Sequence, residues 1–290
     1  MFVIPSEGDG LATRQVLEVF SLDAAGNTFA GVDWRGRAPL ADADAAALAR
    51  ARRAPGALDV DGLLLLESAA EADFAMQYRN RDGSRAGYCG NGTRAIALLA
   101  NEVGAAGATM RFLSDAGPTQ ARRLAPGAYE TAFPDPRTEY RRGALVLAGG
   151  SAADFVDTGV PHALLWVEGD PALGGLPGVA AALRWHPGTG AGGANVNLAS
   201  DLGPEGVRLR TFERGVEAET RACGTGAIAA EIGAAVRAGR TGPQRLTVLP
   251  SGGAELEVAF ELNGARASAV RLGGPAAVRG MVRIDWPGGG

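Results

Sequence analysis

The chain is written twice. The stretch "RNRDGSRAGYCGNGTRAIALL" (79–99) aligns without a gap on "ERGVEAETRACGTGAIAAEIG" (213–233), at an offset of 134. The same offset carries Tyr78 onto Phe212 and Asp61 in "VDGLLLL" onto Asn195 in "ANVNLAS". An offset one residue shorter matches "GNTFAGVDW" (26–34) with "GVPHALLWVE" (159–168). Several matches in one order at nearly constant spacing point to an internal duplication. Each copy has the length of an ordinary domain, and the period is too long for a solenoid. The expectation is a pair of pseudo-symmetric domains that face each other.

Within each copy, "NTFAGVDW", "GLLLLES" and "TMRFLSD", then "HALLWVE", "VRLRTFE" and "RLTVLP", read as strands between Gly, Pro and Asp turns. After each cysteine the period changes. Ile96, Leu99, Ala100 and Val103 recur at helical spacing up to Gly104, as do Ile228, Ile232, Ala235 and Val236 up to Gly239. The class is therefore α/β (α+β), each half strand-rich with a helix starting just after its cysteine. The halves are expected at 17–126 and 127–276. A last strand in "RLGGPAAVRGMVRIDW" lies beyond the second repeat, so 277–290 is expected to complete the first half. Residues 1–16 form an extension to which the sequence gives no role.

Composition narrows the function. A net charge of −4, a pI near 5.4 and no basic run exclude a general nucleic-acid or anionic-membrane surface. The N-terminus has no apolar signal core and no stretch approaches ~18 apolar residues, so a cytoplasmic protein with no membrane partner is expected. Two cysteines cannot form a disulfide framework, and without Cys-x-x-Cys or clustered His they make no zinc site. Lysine is absent from the whole chain, which excludes a pyridoxal phosphate Schiff base. "GNGTRA" fits the loose dinucleotide pattern, but the polar "RNRDGSRAGYC" before it is no buried strand, so no nicotinamide cofactor is expected.

Cys89 and Cys223 each precede a Gly-x-Gly helix start. Such a terminus has unpaired N–H groups and a partial positive charge, which favour a thiolate and seat a carboxylate. Two thiols facing one ligand from opposite domains fit inversion at carbon. A thiolate removes a weakly acidic proton α to a carboxylate, and a thiol returns one to the other face. The helix amides then hold the charge that spreads into the carboxylate. The second copy supplies Arg214 where the first has Asn80, nine residues before the cysteine in both, and Arg214 suits a second carboxylate.

At these residues the chain resembles the diaminopimelate epimerase family. The motifs are "GNTFAGVD", "RNRDGSRAGYCGNGTRAIA", "GVPH", "GANVN" and "ERGVEAETRACGTGAIAA", in the family's order. The resemblance implies two domains, each a strand barrel around a central helix, with the active site in the cleft between them. It implies cofactor-independent interconversion of LL- and meso-diaminopimelate for lysine and peptidoglycan synthesis, with no metal, a small amino acid as partner, and a homodimer. By the same likeness Cys89 and Cys223 are the paired base and acid. Gly90, Asn91, Gly224 and Thr225 bind the reacting carboxylate. Asn27, Asn80, Asn195, Glu213 and Arg214 hold the rest of the substrate, and His162 and Glu213 tune the thiols. The chain departs from the family at Val160, where Asn is usual, by one extra residue between Glu213 and Cys223, and at Asp23 and Thr28 in the opening motif. Two other readings stay open: a racemase of another polar amino acid such as histidine or glutamate, and a non-catalytic amino-acid-binding protein.

Overall fold

Apolar runs bounded by Gly, Pro and Asp become strands, and the two helical periods become helices enclosed by them. The computed structural model describes residues 14–51, 60–85, 89–170, 175–203 and 206–287. It divides into two compact units, one running to Thr131 and resuming at Ala276, the other Ala132–Pro275. The first contains β1 (Arg14–Ala24), β2 (Asn27–Asp33), α1 (Asp42–Ala51), β3 (Gly62–Glu67), β4 (Phe74–Asn80), α2 (Gly90–Glu102), β5 (Thr109–Ser114), β6 (Gly117–Ala125) and β7 (Ala128–Ala132). In the second lie β8 (Arg141–Val146), β9 (Ala152–Asp157), β10 (Pro161–Trp166), α3 (Leu176–Leu183), β11 (Asn195–Asp201), β12 (Val207–Glu213), β13 (Ala218–Thr220) and α4 (Gly224–Arg237). It ends with β14 (Gly242–Pro250), β15 (Leu256–Asn263) and β16 (Arg266–Pro275), and β17 (Ala277–Pro287) returns to the first unit. Of the expected N-terminal extension, 1–13 lies outside the described residues and 14–16 opens β1.

In the first unit the strands run β17-β1-β2-β3-β4-β5-β6-β7, antiparallel except for β2–β3 and β4–β5. The row closes where the Ala276 N–H donates to the Gly127 carbonyl at 2.8 Å. Inside sits α2, packed on β1, β2, β3, β6 and β17. Its residues from Asn91 to Ala100 are all buried, the polar Asn91, Thr93 and Arg94 of its first turns enclosed together with the apolar ones that follow. Leu22, Phe29, Leu64, Phe74, Ile96 and Phe112 form that core.

The unbroken "GLLLLE" of β3 is explained by cover on both faces. Leu64 and Leu66 face the core around α2, while Leu63 and Leu65 join Trp34, Leu48 of α1 and Trp286. Each such leucine contributes about 2 kcal/mol on burial.

The second unit repeats the plan. Its row is β8-β9-β10-β11-β12-β14-β15-β16, with β13 folded back on β12 and with β10–β11 and β12–β14 parallel. The Tyr140 N–H closes it on the Ala265 carbonyl at 2.9 Å, and α4 runs inside with Gly226 to Ala235 buried. Corresponding parallel ladders keep one register: Phe29 pairs with Gly62 and His162 with Asn195, partners 33 residues apart in both units.

Both enclosed helices stop at the predicted glycines. Gly104 and Gly239 adopt φ of +63° and +66°. Ala105 N–H reaches the Ala100 carbonyl at 2.7 Å and Arg240 N–H the Ala235 carbonyl at 2.9 Å, the left-handed termination that glycine permits. Among the described residues no helix is long and apolar enough to cross a membrane.

Candidate active site

Each cysteine is the N-cap of the enclosed helix of its unit. Cys89 has extended backbone, and the Gly92 N–H donates to its Sγ at 3.3 Å. Cys223 caps α4 in the same conformation. In both places the following N–H groups belong to a first helical turn, which has no acceptor of its own.

In the first unit a polar row runs away from Cys89. Asn27 begins β2 straight after Ala25 and Gly26, whose positive φ values (55° and 87°) make the tight hairpin turn from β1. Its Oδ1 accepts from Asn91 Nδ2 at 2.6 Å, and its Nδ2 faces Asp61 Oδ2 at 3.5 Å. Asn91 Oδ1 accepts from Arg94 Nη2 at 2.6 Å, and Arg94 is fully buried. The structure thus joins Asn27, Gly90 and Asn91 near the cap. Asn80 goes elsewhere: its Nδ2 donates to Ser84 Oγ at 3.0 Å, and its N–H to the Ser84 carbonyl, closing its own turn.

In the second unit Cys223 Sγ lies 3.4 Å from Thr225 Oγ1 and 3.8 Å from Asn195 Nδ2. Asn195 Oδ1 accepts from the Arg214 N–H at 2.7 Å, which fixes the amide with its nitrogen toward the thiol. Arg214 Nη1 donates to the Gly193 carbonyl at 3.3 Å, and Glu213 accepts from Thr220 Oγ1 at 2.9 Å. The hairpin that carries the extra residue after Glu213 is clamped by Arg184, whose guanidinium grips Glu217 through Nε (3.1 Å) and Nη2 (2.7 Å). Val160, half-buried, precedes β10, and the neighbouring Thr158 Oγ1 donates to the Thr225 carbonyl at 3.2 Å.

The electrostatics of Cys223 differ from the sequence expectation of a lowered thiol. Burial, with Glu213's carboxylate adding to it, pushes Cys223 up to about 12 against the Thr225 hydroxyl and the N–H groups of Gly226 and Thr225. Three donors do not offset the loss of water around a thiolate. Burial also raises Glu213 above the usual carboxylate range, opposed by Thr220.

His162 is fully buried in β10. Burial, opposed by the Asn197 hydrogen bond and helped by Arg214's charge, brings it down to about 3. Asn197 Nδ2 donates to the Ala163 carbonyl at 3.1 Å and lies 3.0 Å from His162 Nδ1. That amide orientation makes Nδ1 the acceptor and puts the ring proton on Nε2, which has no hydrogen-bond partner among the described residues. Thr211 Oγ1 completes the row on Asn197 Oδ1 at 2.9 Å. His186, by contrast, caps a turn by accepting from the Gly188 N–H.

Sequence reasoning missed Arg94, Asn197 and Thr211. Arg94 lies in the quoted motif but reads as an ordinary helical arginine. Asn197 and Thr211 are two strand polar residues whose inward direction no local pattern reveals.

Comparison with known proteins agrees with this plan. The family model described as "Diaminopimelate epimerase" matches residues 23–128 and 155–278. The diaminopimelate epimerase of Chlorobaculum tepidum is 34% identical over 241 residues, covering 82% of this chain and 91% of that protein. That of Erythrobacter litoralis is 33% identical over 270 residues, covering 90% and 94%. In fold, a Bacillus anthracis phenazine biosynthesis protein of the PhzF family superposes with a TM-score of 0.70 at 16% identity, covering 93% of this chain and 99% of that one. A hydroxyproline epimerase from Agrobacterium vitis gives 0.64 at 15%, covering 96% and 94%. With the family model spanning both repeats and both cysteine-capped helices, the chain belongs to the diaminopimelate epimerase family.

Proposed function

We propose that this isomerase interconverts LL- and meso-diaminopimelate without a cofactor, in the cytoplasm, for lysine and peptidoglycan synthesis. The observation that carries the reading is that two thiols occupy the same address, the N-cap of the enclosed helix, in two copies of one fold. In the reaction one sulfur takes the α-proton as a thiolate, and the electron pair of the broken C–H bond spreads into the carboxylate. The other sulfur, as a thiol, gives its proton to the opposite face of the carbon. Amides at Gly90–Asn91 and Gly224–Thr225 hold the carboxylate as its charge grows. Asn27, Asn80, Asn195, Glu213 and Arg214 hold the remainder, Arg214 gripping the distal carboxylate, while His162 and Glu213 tune the thiols. Because burial pushes Cys223 up to about 12, it rests as the thiol.

The test is proton exchange in heavy water with LL-diaminopimelate and reduced protein, followed by NMR. Loss of the α-proton signal with appearance of meso product, abolished in Cys89→Ala and in Cys223→Ala, is the expected result. No exchange by the unaltered protein overturns the substrate. Full activity of Arg214→Met counts against a gripped distal carboxylate.

A further inference from the structure

We infer that Arg94 and Asp61 are positioning residues that fix which way the amides of Asn91 and Asn27 point, so that the first unit presents N–H groups to its ligand and selects a carboxylate over a carboxamide. The inference rests on the amino-acid epimerisation proposed above. A guanidinium only donates, so Arg94 Nη2, 2.6 Å from Asn91 Oδ1, forces that oxygen toward itself and the Asn91 nitrogen away. The nitrogen then faces Asn27, whose oxygen must accept it, at 2.6 Å. Asn27 Nδ2 is left facing Asp61 Oδ2, an acceptor held in place by the Thr28 N–H at 3.0 Å and Thr28 Oγ1 at 3.2 Å.

A donor-only group at one end and an acceptor at the other leave a single polarity for the whole row. Turning either amide over would set two oxygens or two N–H groups against each other. Each amide nitrogen carries a second N–H beyond the one the row uses, and that second hydrogen suits an anionic oxygen. Arg94 and Asn91 are buried, so water does not substitute for the donor at that end. The device belongs to one unit only: 134 residues on from Arg94 stands Ile228.

The test replaces each end by a group that both donates and accepts, Arg94→Gln and Asp61→Asn, and measures binding of diaminopimelate and of its diamide by calorimetry. All proteins carry Cys89→Ala so that no turnover consumes the ligand. The expected result is a loss of about tenfold to a hundredfold in affinity for the diacid, that of a hydrogen bond to a charged group. Affinity for the diamide stays within about threefold, so the preference collapses, whereas Arg94→Lys, which keeps a donor-only end, retains it. A merely structural role would weaken both ligands by the same factor, and that outcome, or an unchanged preference in both variants, overturns the inference. If Arg94→Gln does not fold by circular dichroism, Asp61→Asn, at the less buried end, decides alone. Wild-type protein that neither binds diaminopimelate nor exchanges its α-proton refutes the epimerase reading and the relay's ligand with it. Wild-type exchange with preference intact in the variants refutes the relay alone.

Discussion

Glu231 lies in the middle of α4, eight residues beyond Cys223 and fully buried. Burial first, then the Asp201 carboxylate, raises it from 4.5 to about 8, against the pull of Arg240 and the Val207 N–H. The folded unit therefore keeps this proton in a range where the unfolded chain has lost it. A raised folded value means that the contribution is fully present below pH 4.5 and is lost as pH rises through about 8. The loss accumulates at about 1.4 kcal/mol per pH unit. By pH 7 it is on the order of 3 kcal/mol, a large share of the stability of an ordinary domain. Glu231→Gln removes the titration while keeping the shape. Urea unfolding followed by circular dichroism at pH 4, 7 and 9 should show the variant gaining on the wild type from pH 4 to 7 by that amount, then levelling above about 8. Any fixed cost of burying the amide cancels in the slope. A difference between variant and wild type that does not change with pH would refute the reasoning.

Other expectations concern the neighbourhood of Cys223. Because Glu213 helps to hold the thiol up, Glu213→Gln should bring it down, read as faster alkylation of Cys223 at pH 9 in protein carrying Cys89→Ala. His162, brought down to about 3 from 6.5, costs stability as pH falls through that window, so His162→Gln should flatten acid unfolding between pH 6.5 and 3. A Cβ on Gly226 would lie 2.9 Å from Asn197 Oδ1 and 3.1 Å from Thr211 Oγ1. Gly226→Ala should then cost about 1–3 kcal/mol in urea unfolding and lower epimerase turnover by moving the polar row to which His162 belongs.

Much of the architecture was legible because a repeat states the same rule twice. Cys89 and Cys223 stand at helix starts in both copies, and Gly104 and Gly239 end those helices where the apolar period stops. What stayed hidden depends on distance along the chain or on depth. Asn27 and Asn91 are 64 residues apart, and nothing local announces that their amides meet. Asn80 reads as Arg214's counterpart in the repeat, and its Nδ2 also donates to Ser84 Oγ within its own turn. The thiol of Cys223 illustrates depth: a helix start is visible in sequence and argues for a lowered value, whereas the burial that outweighs it exists only in the folded unit. Glu231, likewise, is one charged letter in a helix until strands surround it.

The pairing of β1 with β17 sets an order of assembly. From Arg14 to Glu18, β1 finds its register partners in β17, from Pro287 back to Arg283, and Leu17 shares its cluster with Trp286. Pairing with β2 begins only at Val19. A ribosome makes β1 before the second unit and β17 after it, so the first unit waits with an open edge while the second, continuous from Ala132 to Pro275, has every strand it needs. A chain stopped at Pro275 would keep all of the second unit and leave the first one open.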